Sequence, residues 1–142
     1  MKEEFTSHSP DETITLGKTF AGELHAGDVV CLKGDLGAGK THFVKGMAEA
    51  LGIDQDEVQS PTFTLINEYY GDLGLYHFDC YRMESPEEAL EIGAEEYFYG
   101  DGVCVIEWPE RITPLIPPAA IWISIEASDK KTRKFVIRKR GK

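Results

Sequence analysis

The sequence contains no apolar run that approaches the roughly 18 residues needed to cross a membrane. The first five residues are mostly charged, so they lack the apolar stretch of a secretory signal peptide. We therefore expect a cytoplasmic protein without a membrane segment.

Cysteine is scarce, and no Cys-x-x-Cys pair is present. The three cysteines, Cys31, Cys80 and Cys104, are too far apart for a zinc site or a disulfide framework. Each lies in an apolar run typical of a strand, and we interpret them as small buried side chains. A chain of 142 residues suits one domain and can bury about two-thirds of its unfolded surface without crosslinks. We therefore expect residues 1–142 to form a single domain.

Positive charge is scarce over most of the chain. Residues 1–129 contain 7 bases against 25 acids, which leaves a net charge of −18, whereas residues 130–142 contain eight bases and no acid. A broad nucleic-acid-binding face would be basic, so the acidic body argues against one. The basic segment lies in a predicted hairpin over about residues 120–142. It is either a solvated sheet edge, whose lysines discourage edge-to-edge pairing, or a basic patch for an anionic partner.

Helical and strand-like patterns alternate along the chain. Ser9, Pro10 and Glu12 form a helix-start signal. Apolar spacing and turn residues predict three helices, over 10–25, 39–51 and 85–92. β-Branched and aromatic runs predict strands over 28–33, 62–70, 75–81, 103–106, 120–126 and 132–139. The pattern predicts a mixed α/β domain with antiparallel hairpins.

The strongest signal is a match to G-x-x-x-x-G-K-[ST] between a predicted strand and a predicted helix. It consists of Gly34, Asp35, Leu36, Gly37, Ala38, Gly39, Lys40 and Thr41. The glycines let several backbone N–H groups point at a phosphate chain, and the following helix N-terminus favours anions. Lys40 is expected to reach the β- and γ-phosphates, and the Thr41 hydroxyl to bind Mg²⁺. The expected fold is a P-loop NTPase-like domain with a mainly parallel sheet flanked by helices.

A nucleotide triphosphatase also needs a carboxylate at the end of a nearby strand. Asp79 ends one predicted strand, and Glu107 ends another that is more continuously apolar. Composition does not decide which of the two contacts the metal. His77, with apolar neighbours, is interpreted as a hydrogen-bonded core residue. From local pattern alone, Thr62 simply begins a strand after Pro61.

Two nucleotide-binding classes are disfavoured. Asn67 is the single asparagine, so the guanine-specific Asn-Lys-x-Asp motif is absent. Small nucleotide kinases use a lid and several arginines that clamp the second substrate. The body offers only Arg82 and Arg111 and little spare chain for a lid. A stand-alone kinase that phosphorylates a metabolite is therefore the second hypothesis.

Five motifs, in the same order as in the family, resemble those of the TsaE family, whose members are small bacterial P-loop ATPases of tRNA threonylcarbamoyladenosine biosynthesis. They cover most of residues 9–110 and are Ser9-x-x-Glu12-Thr13, the phosphate loop, Ser60-Pro61-Thr62-Phe63-Thr64-Leu65, His77-Phe78-Asp79-Cys80-Tyr81-Arg82 and Ile106-Glu107-Trp108-Pro109. The Ser-Pro-Thr and Glu-Trp-Pro elements are more specific than the phosphate loop.

The resemblance implies roles for individual residues. It implies ATP or ADP binding and slow Mg²⁺-dependent hydrolysis, with Lys40 on the phosphates and Thr41 and Glu107 at the metal. Asp79 resembles a second catalytic or metal-facing acid of the family. Thr62 resembles the family's switch threonine, which differs from the interpretation of Thr62 as the start of a strand. Glu12 and Thr13 resemble residues on the side of the nucleotide base.

The resemblance also implies partners. ATPases of this family dock on a TsaD–TsaB pair, which transfers the threonylcarbamoyl group to adenosine 37 of tRNA, and hydrolysis is thought to reset that complex. Contact with tRNA is then expected to be mostly indirect, through the partners. Two interpretations of the basic C-terminal segment remain. It is either a solvated sheet edge or a patch that binds tRNA phosphate or an acidic face of a partner.

Overall fold

The computed structural model describes residues 2–35, 39–58 and 66–139. Seven strands in these ranges form one sheet: β1 (Lys2–Ser7), β2 (Val29–Lys33), β3 (Ile66–Tyr70), β4 (Gly74–Asp79), β5 (Val103–Glu107), β6 (Ile121–Ala127) and β7 (Arg133–Arg138). The α-helices of the same ranges are α1 (Pro10–Ala21), α2 (Lys40–Ala50), α3 (Pro86–Glu91) and α4 (Ala94–Phe98). Short 3-10 helices cover Gln55–Glu57 and Pro109–Leu115. Among the described helices, none is long and apolar enough to cross a membrane.

The sheet has a parallel centre and antiparallel flanks. Its strands lie in the order β1-β7-β6-β2-β5-β4-β3. Strands β6, β2, β5 and β4 run parallel, whereas β3–β4, β6–β7 and β1–β7 are antiparallel pairs. This confirms the predicted mixed α/β class. Because the carboxyl ends of parallel strands share one edge, the segments that follow β2, β4, β5 and β6 meet there.

Helices cover both faces of the sheet. Strand β2 alternates between the two sides: Val30 and Leu32 pack in the cluster that contains Phe43 of α2. Cys31 packs in the opposite cluster, with Phe78 of β4 and with residues of α3, α4 and the second 3-10 helix. A strand buried on both faces reads as a continuous apolar run, which is why the sequence revealed β2 and β5 clearly.

The start of α1 follows from its first residues. The Ser9 hydroxyl accepts a hydrogen bond from the Glu12 N–H at 3.1 Å, and Pro10 occupies the first turn. The Glu12 carboxylate accepts from the His8 N–H at 3.0 Å, one residue earlier than in the usual capping box. The helix ends at Ala21, four residues before the predicted end, and Gly22 is its C-terminal cap.

The basic C-terminal strand is not at the sheet edge. Strand β7 lies between β6 and β1, and its Phe135 and Ile137 are buried in the core. The interpretation of a solvated edge was therefore wrong, because β1 pairs along the outer side of β7. Strand β1 was not predicted from the sequence, because its charged residues lack an alternating apolar pattern. Its acids instead pair across the strands, as Glu4 does with Lys134 at 3.4 Å.

Candidate functional site

The phosphate-loop pattern lies where β2 ends and α2 begins. Gly34 and Asp35 follow β2, and Leu36, Gly37 and Ala38 lie outside the described residues. Gly39 has φ of 98°, a left-handed conformation that favours glycine, and α2 starts at Lys40 directly after it. The α2 N-terminus, which attracts anions, therefore faces the carboxyl edge of the parallel strands.

The Lys40 ammonium lies at the centre of this edge. It is 5% exposed and donates to the Gly34 carbonyl oxygen at 2.7 Å. Its Nζ is 3.7 Å from Glu107 Oε1 and 4.4 Å from the centre of the Trp108 ring. A carbonyl, a carboxylate and an aromatic face thus hold one buried positive charge next to the phosphate loop.

Glu107 ends β5 and is also 5% exposed. Its Oε2 contacts Nε2 of His77 on the neighbouring strand β4. Burial alone would raise the pKa of Glu107, but the His77 hydrogen bond and the Lys40 charge outweigh it and lower the pKa below the ordinary value. Glu107 is therefore an ionised carboxylate at neutral pH.

Asp79 ends β4 and lies opposite Glu107 in the parallel β4–β5 register. Its Oδ1 accepts a hydrogen bond from the Tyr81 N–H at 2.9 Å. Burial raises the pKa of Asp79, the Tyr81 hydrogen bond opposes this, and the Glu107 charge raises it further. Both candidate acids thus end adjacent strands, as the sequence predicted for each separately.

A cavity of about 270 Å³ opens above Lys40 and Glu107. Thr41 and His42 of α2 line one side, and Thr13 lines the side formed by α1. The full lining is Ser9, Pro10, Thr13, Gly39, Lys40, Thr41, His42, Glu107, Lys130, Lys131 and Arg133. Glu12 is not among these residues and instead caps α1 through His8.

The turn between β6 and β7 and the first residue of β7 bring three cations to this cavity: Lys130, Lys131 and Arg133. Asp129 Oδ1 accepts from the Lys131 and Thr132 N–H groups at 2.9 and 2.7 Å, which closes the turn. Arg133 Nη1 donates to the Asp129 carbonyl oxygen at 2.8 Å. The place of this turn at the site was not predicted from the sequence. The cluster of bases was visible, but only the parallel β2–β6 pairing brings it to the phosphate-loop edge.

Trp108 follows Glu107 and lies beside the Lys40 ammonium, although it is not among the residues that line the cavity. It is the one residue other than glycine with positive φ, 58°, in the described part of the chain. Its ring centre lies 4.9 Å from that of Tyr81, so aromatic packing holds this left-handed residue in place. The remaining motif, which contains the predicted switch residue Thr62, lies outside the described residues.

The oxygen donors at the site fit Mg²⁺. Thr41 and Glu107 line the cavity, whereas Asp79 lies next to Glu107 in the β4–β5 register but does not line it. Their hydroxyl and carboxylate oxygens are the hard ligands that Mg²⁺ prefers. Within the described ranges, no group of three or more histidines, cysteines and acids is arranged as a metal site. Mg²⁺ commonly binds through one or two carboxylates together with substrate phosphates, so this donor set suits a metal that arrives with a nucleotide.

Comparison with known proteins gives one consistent family. The family model for "Threonylcarbamoyl adenosine biosynthesis protein TsaE" matches residues 7–135. The tRNA threonylcarbamoyladenosine biosynthesis protein TsaE of Treponema pallidum is 47% identical over 131 residues, which cover 92% of this chain and 96% of that protein. The Bacillus subtilis protein of the same name is 47% identical over 128 residues, 89% of this chain and 79% of its own. The crystal structure of Bacillus subtilis YdiB is 38% identical, covers 99% of this chain and 87% of that one, and superposes with a TM-score of 0.82.

Proposed function

Because the chain belongs to the TsaE family and so serves threonylcarbamoyladenosine formation in tRNA, we propose that it acts there as a slow Mg²⁺-dependent ATPase. One observation carries this proposal: the buried phosphate-loop lysine and a buried strand-end carboxylate, Lys40 and Glu107, line one cavity 3.7 Å apart. Phosphoryl transfer requires mainly positioning and charge stabilisation, which these groups supply.

The phosphate loop is proposed to bind the phosphates of ATP or ADP. Its residues are Gly34, Asp35, Leu36, Gly37, Ala38, Gly39, Lys40 and Thr41. Backbone N–H groups at the α2 N-terminus and the Lys40 ammonium attract phosphate oxygens. This local donor set lets an acidic protein hold an anion. Thr13 lines the same cavity, and we propose that it and Glu12 lie on the base side.

Thr41, Glu107 and Asp79 are the proposed Mg²⁺ residues. A bound Mg²⁺ would neutralise part of the phosphate charge. Lys40 would stabilise negative charge on the phosphate oxygens, and the ionised Glu107 would hold the attacking water or the metal. Asp79, whose pKa is raised by burial, is proposed as the second acid. Thr62 is proposed as the switch threonine that responds to the γ-phosphate.

The proposed ATPase works with a TsaD–TsaB-type complex, and its contact with tRNA is mostly through those partners. The net charge of −18 on residues 1–129 supports an indirect contact, because a tRNA-binding face would be basic. A cytoplasmic location and a single domain over residues 1–142 belong to the same proposal.

Phosphate release from ATP, with and without a TsaD–TsaB pair, tests the proposal. We expect release without an added acceptor, stimulation by the pair, and a loss of at least 100-fold for Lys40→Ala, since a phosphate-binding cation is removed. Lys45→Ala is the matched control, because Lys45 lies on α2 but not in the cavity lining. Full tRNA modification activity in Lys40→Ala would refute the ATPase role. A metabolite consumed in step with ATP would instead support the kinase hypothesis.

A further inference from the structure

His77 is a buried histidine in contact with the site but outside the cavity lining. It lies on β4 with 0% exposure, opposite Val105 in the β4–β5 register and two residues before Asp79. Its Nε2 contacts Glu107 Oε2. Its other ring nitrogen, Nδ1, is buried and has no hydrogen-bond partner among the described residues.

The contact with Glu107 indicates which ring nitrogen carries a proton. An ionised carboxylate oxygen can only accept a hydrogen bond, so the ring nitrogen next to Oε2 must donate. The proton therefore belongs on Nε2, where Glu107 Oε2 accepts it. In this tautomer the imidazole is a fixed donor to one oxygen of one carboxylate.

The two oxygens of Glu107 have different partners. Oε2 accepts from His77, while Oε1 is the oxygen near Lys40 Nζ, at 3.7 Å. A glutamate side chain has three rotatable bonds, and a single 3.7 Å ion pair would leave its carboxylate free to turn. The His77 contact fixes one oxygen inside the sheet and leaves the other facing the phosphate loop.

We propose that His77 is a positioning residue: its Nε2–H holds Glu107 so that Oε1 faces Lys40, where it would be available to a metal that arrives with the nucleotide. The inference rests on the proposed function of Glu107. His77 does not touch the nucleotide in this arrangement, because it does not line the cavity. Partners that orient metal-binding carboxylates typically contribute 10–100-fold to metal affinity or activity.

Two amide variants separate this role from simple packing. In His77→Gln the side-chain amide nitrogen reaches about as far as Nε2, whereas in His77→Asn it reaches only as far as Nδ1. The probe is a fluorescent ATP analogue titrated at a series of Mg²⁺ concentrations and also without Mg²⁺. We expect His77→Asn to raise, by about 10-fold or more, the Mg²⁺ concentration at which the Mg²⁺-dependent increase in affinity for the analogue is half-maximal. His77→Gln is expected to recover most of that loss, and Mg²⁺-free binding to be equal in both variants.

Equal Mg²⁺ requirements in the two variants would overturn the inference, and so would a parallel loss of Mg²⁺-free binding. Thermal unfolding of each variant checks that it folds. If neither variant folds, ¹⁵N NMR of the wild-type His77 imidazole decides. A protonated Nε2 whose resonance shifts in Glu107→Gln supports the contact, and an unprotonated Nε2 refutes it. Wild-type protein that binds Mg²⁺–nucleotide but releases no phosphate would refute the ATPase proposal, while the same titration would still decide on His77.

Discussion

Asp79 and Glu107 are neighbouring carboxyl groups whose pKa values move in opposite directions. Burial raises the pKa of Asp79, whereas His77 and Lys40 overcome burial and lower that of Glu107. A raised carboxyl pKa means that ionisation destabilises the fold above the ordinary pKa of the group. A lowered pKa means that the ionised form stabilises the fold, and that this stability is lost as the pH falls. Substitution of the two acids should therefore have opposite effects.

Asp79→Asn is expected to increase stability at pH 7 while abolishing hydrolysis. The asparagine keeps an oxygen for the Tyr81 N–H and removes a half-buried charge. The gain should shrink as the pH falls toward 3.8, the ordinary pKa of aspartate, because the raised pKa of Asp79 means that its folded-state carboxyl becomes protonated first and no charge is left to bury. Urea unfolding at pH 7 and pH 4, with phosphate release measured in parallel, checks both effects. An unchanged or lower urea midpoint at pH 7 would contradict the expectation.

Glu107→Gln is expected to decrease stability at pH 7, by about 1–3 kcal/mol, because the buried Lys40 ammonium loses its carboxylate. The loss should diminish below pH 4.5, the ordinary pKa of glutamate, as the wild-type carboxylate itself becomes protonated. The same unfolding series measures it. Equal destabilisation at every pH would show that packing, and not charge, causes the effect.

The three cysteines should be inert toward thiol reagents in the folded protein. Burial raises the pKa of Cys80 and of Cys104 to about 12, and it raises that of Cys31 as well. The reactive thiolate is therefore scarce at neutral pH, and the sulfurs are covered. We expect Ellman's reagent to label none of them within minutes at pH 7 and all three in urea. Rapid labelling of Cys80 in native protein would show that the chain around Asp79 opens.

Individual candidate residues are visible in the sequence where one local pattern contains them. The phosphate loop is contiguous, so its glycines, Lys40 and Thr41 stand out directly as candidates. The contact between His77 and Glu107 joins residues 30 positions apart. It depends on the register of β4 against β5, which the sequence pattern does not encode.

At the scale of elements, α1 and α2 pack against each other through glycines. A Cβ added at Gly46 would lie 1.9 Å from the Ile14 carbonyl oxygen, and one at Gly17 would lie 2.2 Å from that of Phe43. The obstructing atoms belong to backbone, so no side-chain rotation relieves the overlap. This close packing fixes α2, whose N-terminus carries Lys40, relative to α1, whose Thr13 lines the cavity.

Gly46→Ala is therefore expected to destabilise the protein by about 1–3 kcal/mol, since the helices must move apart. Gly22→Ala is the matched control, because Gly22 has φ of −60° and an added Cβ meets no atom closer than 3.5 Å. Chemical denaturation of both variants gives the comparison. If Gly46→Ala is no less stable than Gly22→Ala, then α1 and α2 are not held by this contact.

The elements differ in how clearly the sequence reveals them. Strands β2 and β5 are buried on both faces, so their apolar runs identify them. Strand β1 has a mostly exposed, charged sequence, and it becomes a strand through its pairing with β7. Helix α4 and the 3-10 helix Pro109–Leu115 are too short to show periodicity. These elements depend on tertiary contacts, which is why they were not predicted from the sequence.

For the molecule as a whole, the charge division has a structural meaning. The eight bases of residues 130–142 looked like a separate basic segment. The sheet order brings part of them back to the nucleotide cavity, where Lys130, Lys131 and Arg133 face the phosphate-loop side. Because the rest of the chain is strongly acidic, these cations offset an unfavourable field at the position where an anion would enter.

The double variant Lys130→Ala, Lys131→Ala should weaken binding of a fluorescent ADP analogue by roughly tenfold at low salt. This estimate assumes that each exposed positive charge contributes about 0.5–1 kcal/mol to the binding free energy. The loss should shrink as added salt screens these charges. Lys134→Ala is the control, because Lys134 is exposed on β7 but pairs with Glu4 and does not line the cavity. Truncation before β7 is unsuitable, since it would remove the buried Phe135. If nucleotide affinity is unchanged in the double variant but binding to the TsaD–TsaB pair falls, the turn serves the partner and not the nucleotide.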